Sequence, residues 1–472
     1  MLSDTSPVLD RFEFGRSIRQ TIKRSSHTHT GNTRRDVIEL LKSNSEGRVE
    51  KLVPLRYARM LVSPFTFYRG SAIIQAHDLA GTPDSQLHLQ ICGDAHLSNF
   101  GGFATPERNL IFDLNDFDET HPGPWEWDLK RLTASLAVAA RHLGHGERNA
   151  REAAFEAAVS YQENMAKYAQ MGVLDIWYER ITFERLVDSA RTETGKKMVR
   201  SGIEKAGKRT SAELLPKLAG QADGAWTIRD TPPAVFHIHG NTTLFEADDD
   251  WMLLGSGEAL LERLRKEYLG TLSGSHRKLL ERFTVQDVAF KVVGVGSVGT
   301  RCLIALMMDS QHQPLFLQIK EARPSVLAKF VKERSGFQHE GRRVVEGQRL
   351  MQASSDLFLG WSTGPSGRHF FVRQLRDMKV SAEVELMDAT RLQGYGRICG
   401  WVLARAHARA SGLAPEISGY IGESDRFAAA LARYSTDYAD QVERDYQVFA
   451  QACRSGKLKA RTDADYAADF SV

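Results

Sequence analysis

Between about Arg282 and Met378 the chain is built from strand-forming sequence, and helical sequence flanks it on both sides. The run "VQDVAFKVVGVGSVGTRCLIALMMDSQHQPLFLQIKEA" is rich in β-branched and aromatic residues and broken by glycines, which predicts three antiparallel strands. A helical stretch, "HEGRRVVEGQRLMQA", comes next, followed by two more strand-like pieces, "DLFLGWS" and "HFFVRQL". The expected class is α+β, with a small antiparallel sheet and one helix inserted between two helix-rich segments. Residues 282–378 are expected to form this small lobe. Residues 33–281 and 379–472 together are expected to build a helical lobe, and residues 1–32, rich in Arg, Ser, Thr and His, a flexible arm.

Within the first flank "TRRDVIELLKSN" reads as a short helix, and "WDLKRLTASLAVAARH" sets Leu129, Leu132, Leu136 and Ala140 at helical spacing. In the second, "YGRICGWVLARAHARA" and "FAAALARYSTDYADQVERDYQVFAQA" carry apolar stripes. The segment Leu87 to Asn115 departs from this pattern: "LHLQIC" alternates like a strand, a Gly-Asp turn follows, and "NLIFDL" is a second strand. Two strands thus bracket a loop crowded with Asp, Asn and His.

Composition narrows the function classes. At 472 residues, with 42% apolar and 26% charged residues, the chain can bury a sizeable core, which excludes a disordered or fibrous protein. A net charge of +3 argues against nucleic acid as a partner, and the basic stretch from Arg191 to Lys217 reads as a solvated helical face. Cys92, Cys302, Cys399 and Cys453 form no CxxC pair, so neither a zinc knuckle nor a disulfide framework is expected. The first twenty residues lack the apolar core of a secretory signal, and no run of about eighteen apolar residues occurs. The expectation is a cytoplasmic protein with no membrane partner.

Four groups of residues could carry chemistry. The "GVGSVG" hairpin places Gly294, Gly296 and Gly299 around Ser297 and leads into a strand, which suits a phosphate-covering loop and not a dinucleotide fold. One strand further on, Lys320 in "LFLQIKEA" could reach phosphate oxygens, with Glu346 in the next helix as its carboxylate partner and Glu340 as a competitor. In "GDAHLSN", Asp94 could orient a hydroxyl while Asn99 binds a cation. In "FDLNDFDE", Asp116 closes a strand, and Asn99 with Asp116 would suit a divalent metal that also takes phosphate and water oxygens; Asp118 is a further ligand candidate and Asp113 a supporting acid.

These stretches carry a resemblance. "GDAHLSN" resembles the catalytic loop of the aminoglycoside-phosphotransferase and choline-kinase type of kinase, with Cys92 where those enzymes usually have histidine. "DFDE" resembles their metal-binding aspartate motif, "WDLKRL" with Asp128 the helix after it, and "GWVLARAHA" a helix placed before the catalytic loop. The resemblance implies a protein-kinase-like two-lobed fold that binds ATP and Mg2+, with Asp94 as base, Asn99 and Asp116 on metal, and Lys320 with Glu346 on the phosphates. In those kinases the glycine loop and lysine precede the catalytic loop, whereas here they follow it, so the order is circularly permuted, which neighbouring surface termini make tolerable. The whole chain also resembles the bacterial family called domain of unknown function 2252. The acceptor, a small molecule or a protein, has no readable motif, and nucleotidyl transfer from the same site is a related outcome.

Two other readings stand beside this one. Asp94-x-His96 and His237-x-His239 have metal-ligand spacing, which would suit a metal-dependent hydrolase. A nucleotide-binding protein of kinase shape without catalysis would keep the same loops.

Overall fold

The computed structural model describes residues 6–189, 193–207, 210–222, 224–237, 249, 258–375 and 378–469. The strands are β1 (His88–Ile91), β2 (Phe100–Ala104), β3 (Leu110–Leu114), β4 (His121–Pro124), β5 (Ala219–Ala222), β6 (Ala225–Ile228), β7 (Val235–Phe236), β8 (Thr284–Lys291), β9 (Cys302–Met308), β10 (Pro314–Glu321), β11 (Gly360–Thr363), β12 (His369–Gln374) and β13 (Val380–Ser381). The main sheet runs β11-β12-β10-β9-β8-β7, antiparallel throughout, with Lys320 of β10 opposite Phe371 of β12 and Cys302 of β9. The protein is therefore a mixed α+β chain with an antiparallel sheet between helical flanks.

Every residue of β9 is buried, which explains its unbroken apolar run. Ile304, Leu306 and Met308 pack toward Leu214, Ala219 and Ile228, whereas Ala305 and Met307 pack toward Tyr268, Leu269 and Leu280. Nearer the glycine hairpin, Phe290, Val298 and Leu303 meet Val49, Leu52 and Leu55 of the first flank. The sheet thus leans on the first flank with both of its faces, and Tyr466 of the second flank joins the group beside the hairpin.

The helical part is organised around Trp125–His142, buried along nearly its whole length. It begins directly after Pro124, carries Glu126 and Asp128 in its first turn and Arg141 and His142 in its last, and so complements its own dipole. The helices Gly146–Tyr168 and Ala389–Ser411 pack together, the latter capped by Asp388 and stopped by Gly412 in the left-handed region. No described helix is long and apolar enough to cross a membrane, and all four cysteines are free.

Two expectations need correction. Residues 1–32 do not form a flexible arm over their described part: the helix Val8–Ile18 packs on the helix Ala414–Ile421, with Arg11 Nε 2.7 Å from Glu416 Oε1, and His27 is buried against Tyr420. Arg11, Arg19 and Arg24 are spent on Glu416 and on the carbonyls of Tyr420 and Ile421, while Arg16 stays at the surface with Glu13. Residues 100–104, inside the segment read as a loop between two strands, form β2, paired with β3 and β13. Glycine is needed there because a Cβ on Gly101 would overlap the Val380 carbonyl and the Asn115 side chain.

Candidate functional site

The loop after β1 is held from below. The amides of Cys92 and Gly93 donate to the Asp128 carboxylate at 2.8 and 2.9 Å, and His407 Nε2 lies 3.2 Å from Asp128 Oδ2. Gly93 has φ +82°, and a Cβ there would collide with the Glu119 carbonyl, so the Gly-Asp turn presses directly against the second acidic segment. This turn delivers Asp94. Arg131 Nε donates to Asp94 Oδ1 at 2.7 Å, and the same guanidinium is fixed by Gln75, the Tyr68 carbonyl and the Tyr68 ring. Burial, with a contribution from the Asp116 charge, raises the Asp94 pKa despite Arg131. Asn99 Nδ2 donates to the Asp94 carbonyl at 2.7 Å, and His96, buried with its Nε2 3.9 Å from Asp94 Oδ2, is held well below its ordinary pKa by desolvation.

The second loop follows β3. Asp113 is turned into the core, where it accepts from Ala353 N at 2.8 Å and pairs with Arg405; it anchors the strand and does not face the cleft. Asp116 and Asp118 meet Lys320 instead. The Lys320 ammonium pairs with Asp118 and lies 4.0 Å from Asp116 Oδ2, and Ser297 Oγ donates to Asp118 Oδ2 at 3.3 Å. Burial opposes ionisation of both acids, but Lys320 and Arg373 outweigh it at Asp116, which is lowered, whereas Asp116 itself adds to burial at Asp118, which is raised. Lys320 is desolvated, yet the two carboxylates raise its pKa.

The expected Lys320–Glu346 ion pair is not formed. Glu346 Oε1 lies 3.3 Å from Arg349 one helical turn on, with about a third of its side chain exposed, and Glu340 pairs with Arg343 at 2.5 Å. The reason is local: the aspartates closing the second loop reach Lys320, so the lysine needs no acid from the helix Glu340–Met351. What that helix contributes is Arg343, buried, which donates to the carbonyls of Thr120, Asp118 and Arg323 at 2.5, 2.9 and 2.8 Å. The linker before it docks on the same turn, with Val326 N 2.7 Å from Glu119 Oε2.

The glycine hairpin between β8 and β9 is clamped by its carbonyls. Arg59 Nη1 donates to Gly294 O at 2.9 Å, Arg48 Nη1 to Val298 O at 2.7 Å and Val49 N to Gly299 O at 2.7 Å. Gly294 and Gly299 have positive φ, and the amides of Gly294 to Gly299 donate to no protein group among the described residues. Asp94, His96, Asn99, Asp116, Asp118 and the hairpin line one cavity of about 580 Å³.

Two observations bear on a metal. The buried Asp118 Oδ1 has no hydrogen-bond partner, the kind of oxygen a hard cation would take. Among the described residues no three His, Cys, Asp or Glu side chains converge as a metal cage, so the donors fit an ion that shares its shell with phosphate and water oxygens. His237 follows directly after β7, with Nδ1 2.7 Å from Asp230 and Nε2 3.0 Å from Asp287, both ring nitrogens already engaged. His239 lies outside the described residues.

Arg131, Arg343, Arg405 and His407 were not anticipated as site residues. A signal existed for two of them: Arg405 and His407 stand among the alanines of "LARAHARA", and a polar side chain buried in such a setting must have a partner.

Fold and site together define a mixed α+β protein with an acid-lined cleft where a small antiparallel sheet meets its helical flanks. The chain belongs to the family described as "Uncharacterized protein conserved in bacteria (DUF2252)", whose model matches residues 48–452. No curated protein and no solved structure matches it.

Proposed function

We propose that this protein is a phosphotransferase of protein-kinase-like, circularly permuted architecture that uses ATP and Mg2+ to phosphorylate a hydroxyl-bearing acceptor. The observation that carries the reading is the meeting of Lys320 and Ser297 from the sheet with Asp116 and Asp118 from the first flank, the two acids and the serine lining the cavity that also holds Asp94 and Asn99. Phosphoryl transfer needs little covalent chemistry from the protein; it needs phosphates gathered, charge neutralised and a hydroxyl aligned. The hairpin amides, unused inside the protein, and the Lys320 ammonium supply donors for phosphate oxygens. Asp116, Asp118 and Asn99 would hold Mg2+, which when bound neutralises phosphate charge.

Asp94 is assigned to the acceptor hydroxyl. Its carboxylate is oriented by Arg131, and burial raises its proton affinity, which suits it to accept a proton as the hydroxyl oxygen attacks. The nucleobase is assigned to a neighbouring cavity of about 440 Å³ lined by Phe103, Asn115, Arg373, Gln374 and Leu375. The two cavities adjoin at the Asn115–Asp116 peptide, since Asn115 lines one and Asp116 the other.

The test is isotope tracing with ATP labelled in its terminal phosphate. Wild-type protein should move the label to small-molecule or protein fractions of a cell extract, and Asp94→Asn should slow this by about 10²–10⁴-fold while still binding nucleotide. Equal rates for the two proteins would remove Asp94 from the mechanism, and transfer of label from ATP labelled instead in its first phosphate, with none from the terminal one, would replace phosphoryl by nucleotidyl transfer.

A further inference from the structure

The catalytic cavity holds one cation that makes no ion pair or side-chain hydrogen bond among the described residues. Asp94 has Arg131, and Asp116 and Asp118 have Lys320. Of the other arginines lining the cavity, Arg48 donates to the Asn44 and Val298 carbonyls and Arg323 to the Asn44 and Glu46 carbonyls, so both guanidiniums serve the backbone. Arg69 is different. It ends the helix Pro64–Gly70 and lines the cavity, and its Nε is buried without a hydrogen-bond partner. Among the described residues no carboxylate lies within ion-pair distance of it, and Phe65 offers only a ring at 5.7 Å.

Its place in the cavity gives the vacancy meaning. A Cβ on Gly296 would stand 3.4 Å from the Arg69 carbonyl, so the residue abuts the tip of the glycine hairpin. Its charge also acts on Asp94 and His96, which line the same cavity. Arg69 therefore shares one cavity with the hairpin and the assigned base, the cavity that the acceptor must enter. Desolvating a guanidinium without a partner is costly, and the fork of nitrogen donors matches a carboxylate or phosphate group better than any neutral one.

We infer that Arg69 receives an acidic group on the acceptor, so that the substrate is a hydroxyl compound bearing a carboxylate or a phosphate. This rests on the phosphotransferase reading for the word acceptor, but not for the anion site itself. Lys329 lines the same cavity and adds positive charge near its mouth.

Calorimetric titration of the full chain tests it, with inorganic phosphate and glycolate as separate probes and glycerol as the neutral control, each with and without a saturating non-hydrolysable ATP analogue plus Mg2+. Phosphate or glycolate should bind with the analogue present, glycerol should not, and Arg69→Met should weaken the anion by roughly tenfold to a hundredfold, with Arg69→Lys between the two. Which of the two anions binds more tightly identifies the acidic group. Melting temperatures of the free variants separate a lost contact from a lost fold; should Arg69→Met not fold, Arg69→Lys carries the comparison. Anion binding equal in wild type and variants, no anion binding at millimolar probe, or displacement of the anion by the analogue would overturn the inference, the last by assigning Arg69 to the nucleotide. An analogue that fails to bind while Arg69-dependent anion binding persists would instead remove the nucleotide reading and leave an anion site standing.

Discussion

Lys320 on β10 is paired with Asp118, and Asp116 stands 4.0 Å from the same ammonium, although sheet and loop come from opposite ends of a long stretch of chain. One buried cation thus holds two carboxylates together. Replacing it by Lys320→Met leaves the acids facing each other unscreened, and the cost is expected to be about 3–5 kcal/mol of unfolding free energy. Urea denaturation measures this. Adding Asp118→Asn to the variant should restore part of the loss, because one of the opposed charges is then gone. A single variant as stable as wild type would contradict the pairing.

The helix Glu340–Met351 offers a sharper contrast. Glu346 faces Arg349 at the surface, so Glu346→Gln should change stability by less than about 0.5 kcal/mol. Arg343→Met removes the donor to three carbonyls, two of them in the turn that carries Asp118, and should cost at least about 3 kcal/mol. Thermal or chemical unfolding of the two variants side by side distinguishes them, and the reverse ranking would refute the assignment.

Much of this was legible beforehand, and the reasons for success and failure are physical. Strands β8 to β12 announce themselves through β-branched runs and glycine corners, and the acids at 94, 116 and 118 through their crowding between two strands. What a linear pattern cannot give is the partner of a charge. Lys320 could have met any acid within reach, and its place in the following helix favoured Glu346, whereas chain closure brought Asp118. The same holds for Asp113, which looks like its neighbours in sequence but points into the core toward Arg405. Residues 100–104 stayed hidden because Gly101 and Gly102 carry no strand-forming side chain, yet glycine there makes room for a neighbouring strand.

The pH dependence of stability has one separable component in His88. It lies 3.2 Å from Asp84 and 2.5 Å from Glu333, and these hydrogen bonds, Asp84 first, raise its pKa to about 9 against the opposing effect of burial. A raised histidine contributes stability that is fully present below its unfolded value near 6.5 and is lost as pH climbs through about 9. The melting temperature of wild type minus that of His88→Gln should therefore shrink between pH 6.5 and 9.5. A constant difference across that range would contradict the ion-paired imidazole.

The docking of the first residues is equally open to test. Arg11 and Glu416 form a buried pair, so Arg11→Met should cost about 3–5 kcal/mol by stranding the Glu416 carboxylate. Glu416→Gln in the same background should recover part of it. An Arg11→Met protein with an unchanged urea midpoint would mean that the segment does not contribute to the folded core.

The central claim is that the cleft between sheet and helical flanks holds a nucleotide's phosphates together with a divalent cation. Calorimetric titration of ATP into the protein, with and without Mg2+, addresses it most directly. The account predicts binding that requires Mg2+ and is lost in Lys320→Ala and in Asp116→Ala. Binding of equal strength without the metal and in both variants, or no binding at millimolar ATP, would contradict it.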